Sequence, residues 1–416
     1  MSHANDGGQG EELRGCAVSG GGGPPAECAD LANSPLILDK LATALRAAGL
    51  VDARLPAGQL IYLALLTRFH KRPVSLVVKA ASSAGKSWLV KIVLEFVPAS
   101  AYYALSAMSE KALAYSKEPI AHRFLVLFEA EALNGEFASY LVRSLLSEGK
   151  VMYETVESGA GGLTPKLIER EGPTGLLTTT TRFALHPENE TRLLSITLAD
   201  SADGQREVFQ RWGAEAAGTE SPEVDSAQWH ALGAWLEQGE RRVVIPFAPV
   251  VADLLPAVAL RLQRDFIQTL ALVKAHALLH RATRGRDSEG RIVASLDDYA
   301  VVRELIEPLI AAGIEAIVKS EIRQTVDGVR SLLSIHPHGV PQTALRERFG
   351  LDKATVSRRV RESLQHEWLR NEEERRGYPS RLVLGDVLPD DGAVLPTPEQ
   401  IAGHTPPPET AQPRNS

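Results

Sequence analysis

The sequence predicts an α/β protein built on a mostly parallel sheet. Strand-like and helix-like segments alternate between residues 73 and 200, which is typical of repeated βαβ units. The strand predicted over residues 123–128 is apolar from Phe124 onward, as expected when helices cover both faces of a sheet. A loop of small residues joins the first apolar run to a helical pattern and ends in Gly85-Lys86-Ser87. Together these observations favour a parallel sheet with a ligand loop after its first strand.

The remaining elements follow from periodicity and from helix-breaking residues. We expect two helices before the first strand, over 36–50 and 57–72, the second ended by Pro73. The predicted strands are 74–79, 101–105, 123–128, 175–180 and 193–198. The helices predicted between and after them are 88–96, 109–115, 136–148, 253–282 and 297–318.

Composition limits the class of protein. The 416 residues predict two or three domains, and 44% hydrophobic with 23% charged residues is ordinary for a globular chain. The net charge of −7 argues against coating nucleic acid by bulk charge, so any DNA contact needs local basic patches. No apolar run approaches a membrane span, and the first 23 residues lack a signal-peptide core. Two cysteines, Cys16 and Cys28, give no disulfide framework, so a cytoplasmic location without membrane contact is expected.

The predicted domain boundaries follow these changes in pattern. We expect a disordered leader (1–33), a helical segment (34–72), an α/β core (73–204), a helical lid (205–322), a winged helix-turn-helix (323–387) and a disordered tail (388–416).

The small-residue loop predicts a phosphate site. In a strand–loop–helix context its backbone N–H groups and the helix N-terminus would hold phosphates, as in a P-loop. Lys86 would reach the β- and γ-phosphates of ATP, and the Ser87 hydroxyl would hold Mg²⁺. The position usually taken by the first glycine is Ala80, which can serve if its φ stays negative. The predicted nucleotide-binding residues are Ala80, Ala81, Ser82, Ser83, Ala84, Gly85, Lys86 and Ser87.

Hydrolysis needs a carboxylate at the end of a second buried strand. Glu129 follows the apolar strand 123–128 and is predicted to orient water and assist Mg²⁺ binding; a plain acidic surface loop is the alternative. The position before it is Phe128, so Glu131 is the nearest companion acid. The strand 175–180 ends in threonines, of which Thr179 or Thr180 could hydrogen-bond the γ-phosphate or the water.

Two arginine positions could complete such a site. Arg192 lies just before the strand 193–198, where it could act as an arginine finger toward a neighbouring subunit, or pair on the surface with Glu188 or Glu190. Arg261 and Arg264 of the lid could supply a second cation, or lie on a solvated helix face.

Two further features lie outside the phosphate site. Residues 150–157 and 164–169 predict a β-hairpin around the glycine-rich turn 158–162, just before the strand 175–180. Near the carboxy terminus, helices over 341–349 and 353–365 and two strands predict a winged helix, which could equally be a protein-interaction module. Its candidate DNA contacts are Lys353, Thr355, Ser357, Arg358, Arg359, Arg361 and Arg381.

The motifs at 81–87, 103–110, 122–129, 143–149, 172–180 and 190–192 resemble the helicase clade of AAA+ ATPases. That clade includes superfamily-3 and minichromosome-maintenance proteins, and the chain is similar to the ATPase part of primase-helicases from phages and integrative elements. The resemblance implies a ring, expected to be a hexamer, with ATP between subunits, a hairpin before the sensor-1 strand that grips DNA, and replication partners. It implies Glu129 as Walker B acid, the threonines as sensor 1 and Arg192 as the finger. The chain lacks the primase domain, and its hairpin turn has no basic residue, so the DNA contact that the resemblance implies would fall to the hairpin backbone, Lys166 or Arg170.

The function expected from these features is an ATP-hydrolysing, DNA-acting motor of a mobile element. The alternative is an ATP-regulated DNA-binding initiator or transcriptional regulator without translocation. A P-loop small-molecule kinase is a third possibility, which the winged helix and the hairpin oppose.

Overall fold

The computed structural model describes most of the chain between residues 22 and 404. The described residues are 22–106, 112–129, 140, 143–144, 146–147, 149–159, 162–181, 192–198, 202–218, 225–255, 260–317, 320–373, 375, 377–385, 388 and 394–404. Most of the helix predicted over 136–148 therefore lies outside the described residues.

A five-stranded parallel sheet forms the centre of the α/β part. Its strands are β1 (Leu76–Lys79), β2 (Tyr102–Leu105), β3 (Arg123–Leu127), β6 (Thr174–Thr180) and β7 (Leu194–Thr197), in the order β2-β3-β6-β1-β7. All four pairings are parallel. The mixed α/β class predicted from the sequence is therefore confirmed.

Helices and a hairpin cover the two faces of this sheet. Alternate residues of β1 enter different cores: Leu76 and Val78 join the larger one, and Val77 joins the smaller one. The larger core contains α1 (Ala29–Ala32), α2 (Ile37–Ala47), α3 (Leu55–Leu66) and α4 (Lys86–Leu94). The smaller core contains α5 (Ala112–Tyr115) and the base of the hairpin β4 (Lys150–Gly159) and β5 (Gly162–Glu171). The hairpin strands are longer than predicted.

The helical part follows the sheet. Its helices are α6 (Ala202–Ala216), α7 (Ala227–Glu237), α8 (Ala248–Leu254), α9 (Leu260–Leu279) and α10 (Leu296–Ile317). The single helix predicted over 253–282 was wrong: α8 ends at Leu254 and α9 begins at Leu260, and the sequence has Pro256 between them. A short parallel pair, β8 (Val243–Val244) and β9 (Ile292–Val293), was not predicted.

A separate core forms near the carboxy terminus. It contains α11 (Ser320–Leu332), α12 (Gln342–Phe349), α13 (Lys353–Gln365) and the antiparallel strands β10 (Leu369–Asn371) and β11 (Leu382–Leu384). Val340 adds a bridge to Leu382. This unit begins slightly earlier than the predicted boundary at 323, because Ile322 of α11 is already part of its core.

Both segments predicted to be disordered contain ordered structure. A short 3₁₀ turn (Ala26–Cys28) and α1 bury Cys28 and Leu31 in the large core, so the leader prediction was wrong for residues 22–33. In the tail, α14 (Pro398–Gly403) packs on α10, and the Tyr299 hydroxyl donates to the carbonyl of Pro396 at 2.7 Å. Residues 1–21 and 405–416 lie outside the described part.

Candidate functional site

The loop after β1 turns sharply over the end of the strand. Ala80 is buried, and its N–H donates to the carbonyl of Thr180 at 3.3 Å. Among described non-glycine residues, positive φ occurs at Ser83, His122 and Glu367, so Ala80 meets the condition of a negative φ. Ser83 (φ 63°) and Gly85 (φ 72°) adopt the left-handed conformation that reverses the chain into α4. The local geometry is therefore the concave strand–loop–helix turn expected of a phosphate loop.

The Lys86 side chain lies folded across this loop. Its Nζ donates to the carbonyls of Ala80 at 3.0 Å and Ala81 at 2.7 Å. Burial lowers the pKa of the Lys86 ammonium, because the charged form loses hydration. A phosphate in the loop would replace the two carbonyls as the partner of this ammonium with a full opposite charge.

The first turn of α4 presents groups suited to an anion and a cation. Gly85 is the N-cap residue, and no side chain caps the helix there. The helix N-terminus therefore offers backbone N–H groups to an anion. Ser87 lies half-buried in the same turn, so its hydroxyl stands next to the loop.

The sheet brings the threonines to the same edge as the loop. Lys79 of β1 pairs with Thr180 of β6, and Leu127 of β3 pairs with Thr178. Carboxyl ends of parallel strands meet at one edge of a sheet, where ligands of such folds bind. Thr179 donates its hydroxyl to the carbonyl of Phe128, which joins the tip of β6 to the residue before Glu129.

Glu129 is exposed at this edge, two residues beyond the end of β3. In the sheet, β6 lies between β3 and β1. Two inter-strand spacings separate β3 from β1, or about 10 Å. Glu131 lies outside the described residues.

Arg192 lies at the amino edge of the sheet, opposite the carboxyl edge that carries the loop. Leu194 pairs with Leu76, so Arg192 is two residues before this pair while Ala80 is four residues after it. Six residues of extended chain correspond to about 20 Å along the strands. Arg192 therefore does not reach the loop of its own chain. Its Nε is buried and lacks a hydrogen-bond partner among the described residues; Glu188 and Glu190 lie outside them.

An arginine that was not predicted lies against the loop. Of the two predicted lid arginines, Arg264 is exposed on α9, and the side chain of Arg261 lies outside the described part. The Nη1 of Arg54 lies 2.4 Å from where a Cβ on Gly85 would stand. Sequence reasoning missed Arg54 because it precedes Gly85 by 31 positions and belongs to no motif.

A cavity of about 520 Å³ opens beside the loop. Arg54, Trp88 of α4 and two aromatic residues of α6, Phe209 and Trp212, contribute to its lining together with loop residues 82–85. The three aromatic side chains are between 48 and 64% exposed. Arg211 lies with its guanidinium 5.6 Å from the Trp88 ring centre. Volume and lining suit a stacked nucleobase with its ribose.

No protein-family model and no curated protein matches this chain. The site itself must therefore carry the functional argument. Among the helices that the structure describes, none is long and apolar enough to cross a membrane. The described residues hold no group of three or more His, Cys, Asp or Glu side chains that could bind a metal ion. Ser87 with one carboxylate is still compatible with Mg²⁺, which binds through few protein groups plus substrate phosphates.

The structure narrows the predicted DNA contacts of the carboxy-terminal unit. Lys353, Arg358 and Arg361 are exposed on α13, although Arg358 lies 3.6 Å from Glu321. Arg359 is only 12% exposed and its Nε lies 3.8 Å from the carboxylate of Glu321 on α11, which leaves little of its side chain for the predicted DNA contact.

Three other residues of this unit are engaged or partly covered. The hydroxyl and N–H of Thr355 both bond the carboxylate of Asp352, which caps α13. Arg381 donates to the carbonyl of His338 at 2.7 Å. Ser357 is half-buried.

Arg170 of the hairpin, a predicted DNA contact, makes hydrogen bonds within the protein. Its guanidinium donates to the carbonyls of Ser116 and Glu118, which anchors the base of β5 to the loop before β3. Lys166, farther along β5, is exposed.

Proposed function

We propose that this chain binds and hydrolyses ATP and uses the reaction to act on DNA as a subunit of a ring. The observation that carries the proposal is the carboxyl edge of the sheet. There Lys86 lies folded on its own loop, Thr179 links the threonine strand to Phe128, and Glu129 stands exposed beyond it.

The residues divide the work of phosphoryl transfer as follows. The backbone of the loop and the Lys86 ammonium bind the β- and γ-phosphates, while the cavity with Trp88 holds the base. Ser87 and Glu129 would hold Mg²⁺, which neutralises charge developing on the phosphates. Glu129 orients the attacking water, and Thr179 or Thr180 fixes its position by a hydrogen bond.

Arg192 acts in this proposal on the nucleotide of a neighbouring subunit. Its placement some 20 Å from its own loop, by strand geometry, supports a role in trans over one in cis. An arginine supplied between subunits would make hydrolysis depend on assembly. The fold proposed for the core is accordingly AAA+ of the helicase clade, with a winged helix at α11–α13. A role in replication of a mobile element rests on the sequence resemblance.

The experiment that tests the proposal is ATP hydrolysis with and without single-stranded DNA. Wild type should hydrolyse ATP faster with DNA, Glu129→Gln should bind ATP without turnover, and Lys86→Ala should lose binding. An Arg330→Ala variant, which removes an exposed arginine paired with Asp327, is the matched control and should behave as wild type.

A DNA-binding switch regulated by ATP is the second candidate. It is favoured by the exposed side chains of the hairpin, which include Met152, Val156 and Leu167 beside Lys166. Among the exposed hairpin residues that the structure describes, apolar and acidic side chains outnumber the two lysines, Lys150 and Lys166, so this surface is poorly suited to gripping phosphates during translocation. Slow hydrolysis that DNA does not change would contradict the motor and support the switch.

A further inference from the structure

A concave basic surface lies away from the nucleotide site. It is a cavity of about 800 Å³ between the segment before β1, the loop before β8 and helix α9. Its charged lining residues are Lys71, Arg72, Glu240, Arg241, Arg242 and Lys274. We call this surface the basic groove. Five cations and one carboxylate meet there, although the whole chain has a net charge of −7.

Most of the positive charge of the groove is not neutralised by a carboxylate within it. Glu240 is held by Arg242 at 2.6 Å, and this hydrogen bond lowers the pKa of Glu240 to about 2, so it is ionised at neutral pH. No ion pair in the described part of the chain involves Lys71, Arg72 or Lys274, and the first two are exposed. The groove therefore keeps about four uncompensated positive charges.

Packing orients one of these cations. The guanidinium of Arg241 lies 5.1 Å from the ring centre of Phe69, and the buried Arg68 lies 4.1 Å from the same ring. Arg68 is itself paired with Glu237 at 2.9 Å, which fixes this end of the groove. Such an arrangement reduces the entropy that Arg241 loses when it binds an anion.

The groove continues toward the hairpin. Lys71 and Arg72 also line a smaller cavity of about 140 Å³ with Gly149, Pro173 and Thr174. Gly149 immediately precedes β4, and Pro173 lies between β5 and β6. Because Thr174 begins its strand, this path follows the amino edge of the sheet and ends at the base of the hairpin.

We propose that the basic groove binds the sugar-phosphate backbone of a single nucleic-acid strand and leads it to the hairpin. A row of unpaired cations in a concave path matches the repeated charge of a nucleic-acid backbone. Continuity with the hairpin favours nucleic acid over an acidic protein. The inference rests on the proposed DNA role but does not require ATP hydrolysis.

The test removes the charge of the groove and compares it with an equal loss elsewhere. The groove variant carries Lys71→Gln, Arg72→Gln, Arg241→Gln and Lys274→Gln. The control carries Lys40→Gln, Arg286→Gln, Arg291→Gln and Arg330→Gln, which lie outside the groove. Both variants change the net charge from −7 to −11, so bulk charge is matched.

Binding of a labelled single-stranded oligonucleotide is measured by fluorescence anisotropy between about 50 and 200 mM salt. The groove variant should bind at least about tenfold more weakly than wild type. The slope of the logarithm of its binding constant against the logarithm of salt concentration should become shallower by about 0.7 for each phosphate that is no longer neutralised. The control should match wild type, and both variants should still bind a fluorescent ATP analogue. The pairs Lys71/Arg72 and Arg241/Lys274 are also tested separately, so that poor folding of the fourfold variant does not decide the result.

Three outcomes overturn the inference. Equal DNA affinity of the groove and control variants would show that only bulk charge matters. A groove variant that binds DNA normally but no longer binds polyglutamate would assign the surface to an acidic protein. Wild type that binds no DNA at all would refute the proposed DNA role together with the inference.

Discussion

Replacing Gly85 by alanine tests the proposal that the loop binds phosphate. Gly85 has a φ of 72°, and for an L-residue the left-handed conformation costs about 1–2 kcal/mol. An added Cβ would also stand 2.4 Å from the Nη1 of Arg54. That atom is the end of a flexible side chain and can move aside, so the backbone conformation should dominate the cost.

The expected effect on nucleotide binding follows from this cost. In Gly85→Ala the free loop would relax to a negative φ, and ATP would have to restore the strained form. A difference of about 1–2 kcal/mol corresponds to an affinity about 5- to 30-fold lower. Titration with a fluorescent ATP analogue measures this change directly.

Two controls separate strain from crowding. Gly350→Ala has a similar φ of 63° with no atom within 4 Å of the added Cβ, so it should lose stability in the carboxy-terminal unit without losing ATP affinity. Adding Arg54→Ala to Gly85→Ala should not restore affinity. If it does, crowding by Arg54 is the cause; if Gly85→Ala binds ATP as wild type does, the proposed role of the left-handed loop is refuted.

Three further changes have defined outcomes. Ala80→Gly should not improve ATP affinity and should lower the melting temperature, because glycine costs about 0.5–1 kcal/mol where φ is already negative; tighter binding would contradict this. Arg170→Met should destabilise the chain by about 2 kcal/mol in urea unfolding, because it removes two hydrogen bonds to carbonyls. The DNA affinity of the folded variant should stay unchanged. Weaker DNA binding by the folded variant would support Arg170 as a DNA contact. Asp298→Asn should destabilise by about 3 kcal/mol at pH 7, since Asp298 is fully buried with His276 at 2.7 Å and Arg284 at 2.6 Å. Burial raises the pKa of Asp298, but those hydrogen bonds outweigh burial and lower the pKa below 3.8. The difference in free energy of unfolding between wild type and variant should therefore be full above about pH 4 and should decline in more acidic solution. A difference that does not change with pH would contradict this.

Local pattern was enough to predict the strands but not their order. The apolar run of β3 and the alternation in β4 are visible in the sequence. A strand that is buried on both faces is apolar throughout, whereas a strand that is buried on one face alternates apolar and polar residues. The insertion of β6 between β1 and β3 depends on long-range pairing, which no local pattern encodes. The same limit hid Arg54, which reaches Gly85 only through the tertiary fold.

Two other features of the structure, the packing of Arg359 and the order near the chain ends, had a signal in the sequence. In α13 the residues Val356, Val360 and Ser363 are buried, and Arg359 lies on the same helical face at the spacing of three to four. Its charge suggested DNA, but its position in the repeat indicated contact with α11. At the chain ends, general polarity concealed a few anchoring apolar residues such as Leu31 and Leu395, which are buried at 2% and 1% exposure.

The central claim is that the nucleotide site is completed by Arg192 of a second subunit. It is tested by the ATPase rate of an equal mixture of Lys86→Ala and Arg192→Ala chains, each inactive alone. If subunits mix at random, about one interface in four joins an intact loop to an intact arginine, so the mixture should regain about a quarter of the wild-type rate. A mixture that stays inactive, while mass photometry shows mixed oligomers, would contradict the claim.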